Sequence, residues 1–223
     1  IVAGPWGGYP TSVHASDLDG DGDQDLAVTV REAGVSILLN NGDGTFQAAV
    51  KYQTGDQAYS VFAADLDGDD DNDLAVVNLY GGVAVLLNDG DGTFQAAVEF
   101  AAGSYPLDVF AADLDGDGDV DLAVANESSD DVSILFNDGE GTFQAAVDYG
   151  AGDGPSSVSA CDLDGDEDLD LAVSNSISDD VSILVNNGDG TFQAAVAYDA
   201  GWSPWSVFAA DLDGDADQDL AVA

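Results

Sequence analysis

The residues that could do chemistry here are aspartates, and they come in five loops of one spacing. The first loop reads Asp17-Leu-Asp-Gly-Asp-Gly-Asp-Gln-Asp25, and near copies open at Asp65, Asp113, Asp162 and Asp211. Each copy places carboxylates at the odd positions of a nine-residue turn. Carboxylates held within about 4 Å of one another repel by roughly 1 kcal/mol per pair in water, and by several-fold more where water is partly excluded. Five such loops therefore call for cations. Donors that are all oxygen favour a hard ion, and a cage of this size suits calcium over magnesium, which is smaller and dehydrates reluctantly.

Side-chain ligands are expected at positions 1, 3, 5 and 9. These are Asp17, Asp19, Asp21 and Asp25; Asp65, Asp67, Asp69 and Asp73; Asp113, Asp115, Asp117 and Asp121; Asp162, Asp164, Asp166 and Asp170; and Asp211, Asp213, Asp215 and Asp219. Position 7, which is Asp23, Asp71, Asp119, Asp168 or Asp217, is expected to offer its backbone carbonyl and to turn its side chain to water. Up to five Ca2+ ions follow. Position 6 is glycine only at Gly22 and Gly118; the other copies hold Asp70, Glu167 and Ala216. If that position needs a positive φ, Asp tolerates it while Glu and Ala are strained, which makes the fourth and fifth loops the weakest. An EF-hand would need a Glu at position 12, where this chain has Val28, Val76, Val124, Val173 and Val222 inside apparent strands.

The loops recur about every 48 residues, so the elements that hold them must recur too. In the second copy Tyr59–Ala64 reads as strand a, the acidic loop follows, and Asp73–Val77 reads as strand b. Val83–Leu87 is strand c, and Phe94–Phe100 alternates as strand d. Four short strands joined by tight turns make an antiparallel meander. One such sheet cannot bury both faces, so the units must stack, and the repeat length points to a β-propeller. The expected fold is all-β, with four full four-stranded blades, a partial fifth, and a Ca2+ loop between strands a and b of each. Residues 1–223 are expected to form one domain of repeats near 9–56, 57–104, 105–153, 154–202 and 203–223. In a meander the acidic loops share a face with the Asn-x-Gly-(Asp/Glu)-Gly-Thr-Phe turns at 40–46, 88–94, 137–143 and 186–192, which read as hairpin punctuation.

Strand, Asp-x-Asp-x-Asp loop, strand and then Asn-Asp-Gly-Asp-Gly-Thr-Phe resembles the FG-GAP/VCBS repeat of integrin alpha-subunit propellers and of many bacterial surface proteins. The resemblance spans nearly the whole chain. It implies a propeller in which calcium rigidifies a hairpin loop in each blade, and it does not by itself imply integrin function.

Composition narrows the partners. Forty-five acidic residues stand against Arg31 and Lys51, for a formal charge of -43. Nucleic acid and anionic membranes are excluded as partners, and no apolar run reaches the ~18 residues of a membrane span. Five divalent ions would leave about -33. Loops of this kind suit millimolar calcium, hence an extracellular or cell-surface home. Cys161 occupies a slot held elsewhere by Ser16, Ala64, Ala112 and Ala210, which reads as a small core position.

Three functional classes follow. The first is a non-enzymatic structural or adhesion module. Its partner, a protein or a glycan, would meet the face opposite the metal loops, and the unfinished fifth blade would offer a strand edge for a homo-oligomer or filament. The second is a lectin, with Trp6, Tyr9, Tyr105, Trp202 and Trp205 as stacking platforms. The third, a polysaccharide-cleaving enzyme, is disfavoured because the chain offers only His14, Arg31, Lys51 and tyrosines as base or cation. His14 stands where other copies have Phe62, Phe110 and Phe208, which reads as packing. Asn126-Glu-Ser128 is an N-glycosylation sequon expected in a loop.

Overall fold

The computed structural model describes residues 8–223. Among them are eighteen strands in five antiparallel sheets and no helix. The first blade is β1 (Pro10–Ser16), β2 (Asp25–Val30), β3 (Gly34–Leu38) and β4 (Val50–Tyr52). The second is β5 (Ala58–Ala64), β6 (Asp73–Asn78), β7 (Gly82–Leu86) and β8 (Val98–Phe100). The third is β9 (Pro106–Ala112), β10 (Asp121–Asn126), β11 (Asp131–Leu135) and β12 (Val147–Gly150). The fourth is β13 (Pro155–Cys161), β14 (Asp170–Asn175), β15 (Asp180–Leu184) and β16 (Val196–Asp199). β17 (Val207–Ala210) and β18 (Asp219–Val222) make a two-stranded fifth sheet. Each blade is a meander in sequence order, so the expected propeller architecture is the one observed.

Strand periodicity decides how the blades stack. In β6, Ala75 and Val77 project to one side and Leu74 and Val76 to the other. Leu74 and Val76 pack with Ala27, Val35 and Ile37 of the first blade, while Ala75 and Val77 pack with Leu122 and Val124 of the third. The same relation joins the third blade to the fourth and the fourth to the fifth sheet. Because both faces of β6, β10 and β14 are covered, every residue of these strands is buried. The outer face of the first blade shows the contrast: Val13 is 60% exposed, whereas its counterparts Val61, Val109 and Val158 are each 3% exposed.

Strand d is shorter than its alternation suggests. β8 holds only Val98–Phe100, and Phe94 instead closes the preceding turn through a bridge to Asn88. Its ring drops into the joint, edge-on to Tyr52 of the previous blade at 5.4 Å, and the pairs Phe143–Phe100 and Phe192–Tyr149 repeat the contact. The turn phenylalanine is thus a joint residue.

At the axis the first strands of all five sheets line a cavity of about 250 Å3. His14 stacks on Phe62 at 4.6 Å and Phe62 on Phe110 at 5.0 Å, so the histidine packs as its phenylalanine counterparts do. Burial holds its pKa below the usual imidazole value. Asp108 stands where other copies have Ser12, Ser60, Ser157 and Ser206. Its carboxylate accepts bonds from Ser60 Oγ (2.8 Å) and the Val158 N–H (3.2 Å), tying the second, third and fourth blades together.

Candidate metal centre

Each acidic loop is built around its position-9 aspartate, the first residue of the second strand in its sheet. In the second blade Asp73 is fully buried; its Oδ2 accepts the Leu66 N–H (2.8 Å) and its Oδ1 accepts the Asn88 N–H (2.7 Å). One carboxylate therefore fastens the metal loop to the turn between the third and fourth strands. Asp25, Asp121 and Asp170 repeat both bonds. In the fifth sheet Asp219 accepts the Leu212 N–H (3.1 Å). At the other end, Asp65 accepts the N–H groups of Gly68 and Asp70 and closes the loop on itself. The position-2 leucines Leu18, Leu66 and Leu114 are buried beneath.

This folding brings the carboxylates of positions 1, 3 and 9 together in all five loops: Asp17, Asp19 and Asp25; Asp65, Asp67 and Asp73; Asp113, Asp115 and Asp121; Asp162, Asp164 and Asp170; Asp211, Asp213 and Asp219. Within each triad one oxygen per residue lies within 4.8 Å of the others. The position-5 residues Asp21, Asp69, Asp117, Asp166 and Asp215 are not members of these triads; Asp69, Asp117 and Asp166 neighbour the position-3 carboxylates, and all five accept the N–H of position 7 through Oδ1. The position-7 side chains of the four full blades are not turned freely to water. Asp23, Asp71, Asp119 and Asp168 lie half-buried against Gly42, Gly90, Gly139 and Gly188, where a Cβ would come within 2.5–2.6 Å of a carboxylate oxygen. Asp217, in a sheet without that turn, is exposed as expected.

The electrostatics follow from crowding and burial. Burial pushes Asp73 and Asp121 up to about 6, with smaller contributions from the neighbouring loop charges. Asp19, Asp67 and Asp115 are raised as well, burial first and adjacent carboxylates after it. Asp67 Oδ1 is buried with no hydrogen-bond partner. An orphaned, buried carboxylate oxygen inside a triad of like charges fits a hard cation, which the three carboxylates would hold by oxygen alone.

Position 6 has a positive φ in every loop: Gly22 at 90°, Asp70 at 73°, Gly118 at 97°, Glu167 at 75° and Ala216 at 77°. The conformational demand is common to all five, and two loops meet it with a residue that resists it.

The loops also tie one blade to the next. Asn88 donates through Nδ2 to the Leu18 carbonyl of the first blade's loop (2.9 Å) and to the Asn72 carbonyl of its own (3.0 Å). Asn137 reaches Leu66 O and Asn186 reaches Leu114 O in the same way, each at 2.8 Å. These turn asparagines read in the sequence as hairpin punctuation; their recurrence at the head of every turn was the available signal. The metal loop of one blade is thereby fixed to the turn of the following blade.

A family model described as FG-GAP-like repeat matches residues 17–76, 65–124, 113–173 and 162–222, each match running from one acidic loop into the next. The chain belongs to the FG-GAP-like repeat family. No curated protein matches the sequence. Among solved structures, a lectin of Agrocybe aegerita described as specifically recognising non-reducing terminal N-acetylglucosamine is 25% identical, with a TM-score of 0.67 over 94% of this chain and 59% of its own. The chain thus spans 59% of that lectin's length. The biofilm matrix protein Bap1 of V. cholerae is 22% identical, with a TM-score of 0.57 over 96% of this chain and 35% of its own. BBS1N, solved in complex with ARL6DN, is 14% identical, with a TM-score of 0.65 over 97% and 60%. The last two likenesses show the fold alone.

The remaining candidate residues of this FG-GAP-like chain do not form one site. Trp6 lies outside the described residues. Tyr9, Trp202 and Trp205 are exposed, Trp202 at 96%. Tyr105 meets a residue that sequence reasoning passed over, Tyr80, ring edge to face at 5.9 Å. Asn126 is not in a loop: it ends β10, its side chain is fully buried, and its Nδ2 donates to Asp131 Oδ1 and Ser133 Oγ. A glycan acceptor must be exposed, so the sequon is not a modification site in this fold.

Two outcomes are expected. In chelator, raising the pH from 5 to 7 lowers the melting temperature, because the folded-state pKa values of Asp73 and Asp121 are raised to about 6; the stability these groups contribute is present at low pH and lost as pH rises through that value. Thermal melts across this range check it, and added calcium is expected to remove the slope. Second, Glu167→Gly is expected to stabilise the protein by about 1 kcal/mol in urea titrations, since glycine adopts the positive φ without strain.

Proposed function

We propose that this FG-GAP-like chain is a calcium-stabilised, non-enzymatic β-propeller that serves outside the cell as a structural and adhesion module, with residues 1–223 acting as one domain. The observation that carries the reading is the repeated placement of an aspartate triad where a loop of one blade is bonded to the turn of the next. A cation there would fasten blades rather than activate a substrate. Position 5 and the position-7 carbonyl would complete each cage once an ion is bound, up to five ions in all.

Other features support a binding rather than a catalytic role. His14 is packed in the axial stack, Arg31 lies over the Tyr59 ring at 5.7 Å, and burial pushes the Cys161 thiol up to about 11. No helix among the described residues is long and apolar enough to cross a membrane. A protein or glycan partner would meet the face opposite the metal loops.

The lectin reading is favoured by one observation, the likeness at 25% identity to a glycan-recognising lectin. Adhesion itself is tested with protein-coated beads on a glycoprotein-coated surface under flow. Retention in calcium and release in chelator are expected. Retention no greater than that of albumin-coated beads in calcium would contradict an adhesive role.

A further inference from the structure

The joint between the second and third blades holds a cleft of about 460 Å3 on the face opposite the metal loops. One wall is the hairpin tip Tyr80-Gly81-Gly82 of the second blade. The other is the loop leading into β9, with Ser104 and Tyr105, and Ser128 borders the cleft from the third blade. Tyr80 is 74% exposed, so its ring serves no core. It meets the half-buried ring of Tyr105 at 5.9 Å and 66°.

Internal repetition separates what the fold needs from what this joint adds. The equivalent residue ahead of the first strand has a positive φ in the second to fifth copies, at Gln57 (66°), Tyr105 (58°), Gly154 (71°) and Ser203 (50°). The backbone shape recurs in the second to fifth copies, whereas a tyrosine stands at this slot only in the first and third, as Tyr9 and Tyr105, and Tyr105 occupies a conformation in which glycine would be relaxed. The residues matching Tyr80 are Glu32, Ser128 and Ile177, so the paired aromatics occur at this joint alone among the four. The backbone beneath is held firmly. Tyr105 O accepts the Glu127 N–H (3.0 Å), Ser104 O accepts the Ser128 N–H (3.0 Å), and Ser129 Oγ accepts the Ser104 N–H (2.9 Å).

An exposed tyrosine ring set against a half-buried one, beside hydroxyl groups, recognises a small ring that is apolar on one face and hydroxylated at its edge, which is the chemistry of a pyranose. The formal charge of -43 sets the sign: uronic acids, sialic acids and sulfated sugars are repelled, and neutral sugars are not. We propose that the Tyr80–Tyr105 cleft binds a neutral pyranose of a glycan. The proposal rests on the lectin reading above and adds to it the place and the class of sugar.

The test is isothermal titration of the calcium-loaded protein with methyl glycosides of galactose, glucose, N-acetylglucosamine and glucuronic acid. It is run on the parent chain and on Tyr80→Ala, Tyr105→Gly and Trp202→Ala. At least one neutral glycoside is expected to bind and the glucuronide to bind more weakly. Tyr80→Ala and Tyr105→Gly are each expected to lose about tenfold in affinity, while Trp202→Ala stays within about twofold. Tyr105→Gly relieves a positive φ, so its melting temperature is expected to be unchanged or higher, and a loss of binding there cannot be ascribed to unfolding. Binding retained in both tyrosine variants and lost in Trp202→Ala would overturn the cleft and leave the lectin reading standing. Absence of binding to every glycoside would overturn both, and tighter binding of the glucuronide would overturn the claim for neutral sugars.

Discussion

A buried carboxylate that satisfies two backbone N–H groups at once is the constraint on which the rest of this fold depends. Asp73 and its counterparts Asp25, Asp121 and Asp170 each join the start of a metal loop to a turn near the far end of the same blade. Such a group is strong when ionised and fully bonded and costly when left bare, and here it also faces two further carboxylates. The structure therefore concentrates negative charge at the point where the blade is closed. Closure and cation demand are two consequences of one residue.

The asparagine bonds extend this local closure to the whole arc. In the second, third and fourth blades the turn asparagine bonds the loop carbonyl of the preceding blade, and the turn phenylalanine nearby enters the same joint. Apolar packing supplies the interior of every joint, while the loops and turns lock one rim of it. Stability in such an array is a sum of blade and joint contributions. A cation in one loop accordingly bears on two blades. The opposite rim carries no such bonds to metal loops and is where the copies differ in sequence, with Tyr80 and Tyr105 at one joint and Trp202 at another.

Strand order and the metal loops were legible in the sequence because both obey short-range rules: alternation of Leu74, Val76 and their neighbours, and an odd-position run of aspartates. The positive φ at position 6 was legible too, since Gly22 and Gly118 betray what Glu167 and Ala216 conceal. What escaped was set by contacts distant in the chain. Nothing local says that Asn88 will reach the carbonyl of Leu18, that Asp71 will lie against Gly90, or that Phe94 will leave its strand for a joint. Asn126 shows the opposite error, a motif that is complete in sequence and buried in the fold. Tyr80 was passed over because its partner is supplied by the next blade.

Calorimetric unfolding at a series of free calcium concentrations tests the central claim most directly. If cations complete the triads in the folded state only, the melting temperature rises steadily with the logarithm of calcium concentration and falls to its lowest value in chelator. A melting temperature that is the same in chelator and in millimolar calcium would contradict the account.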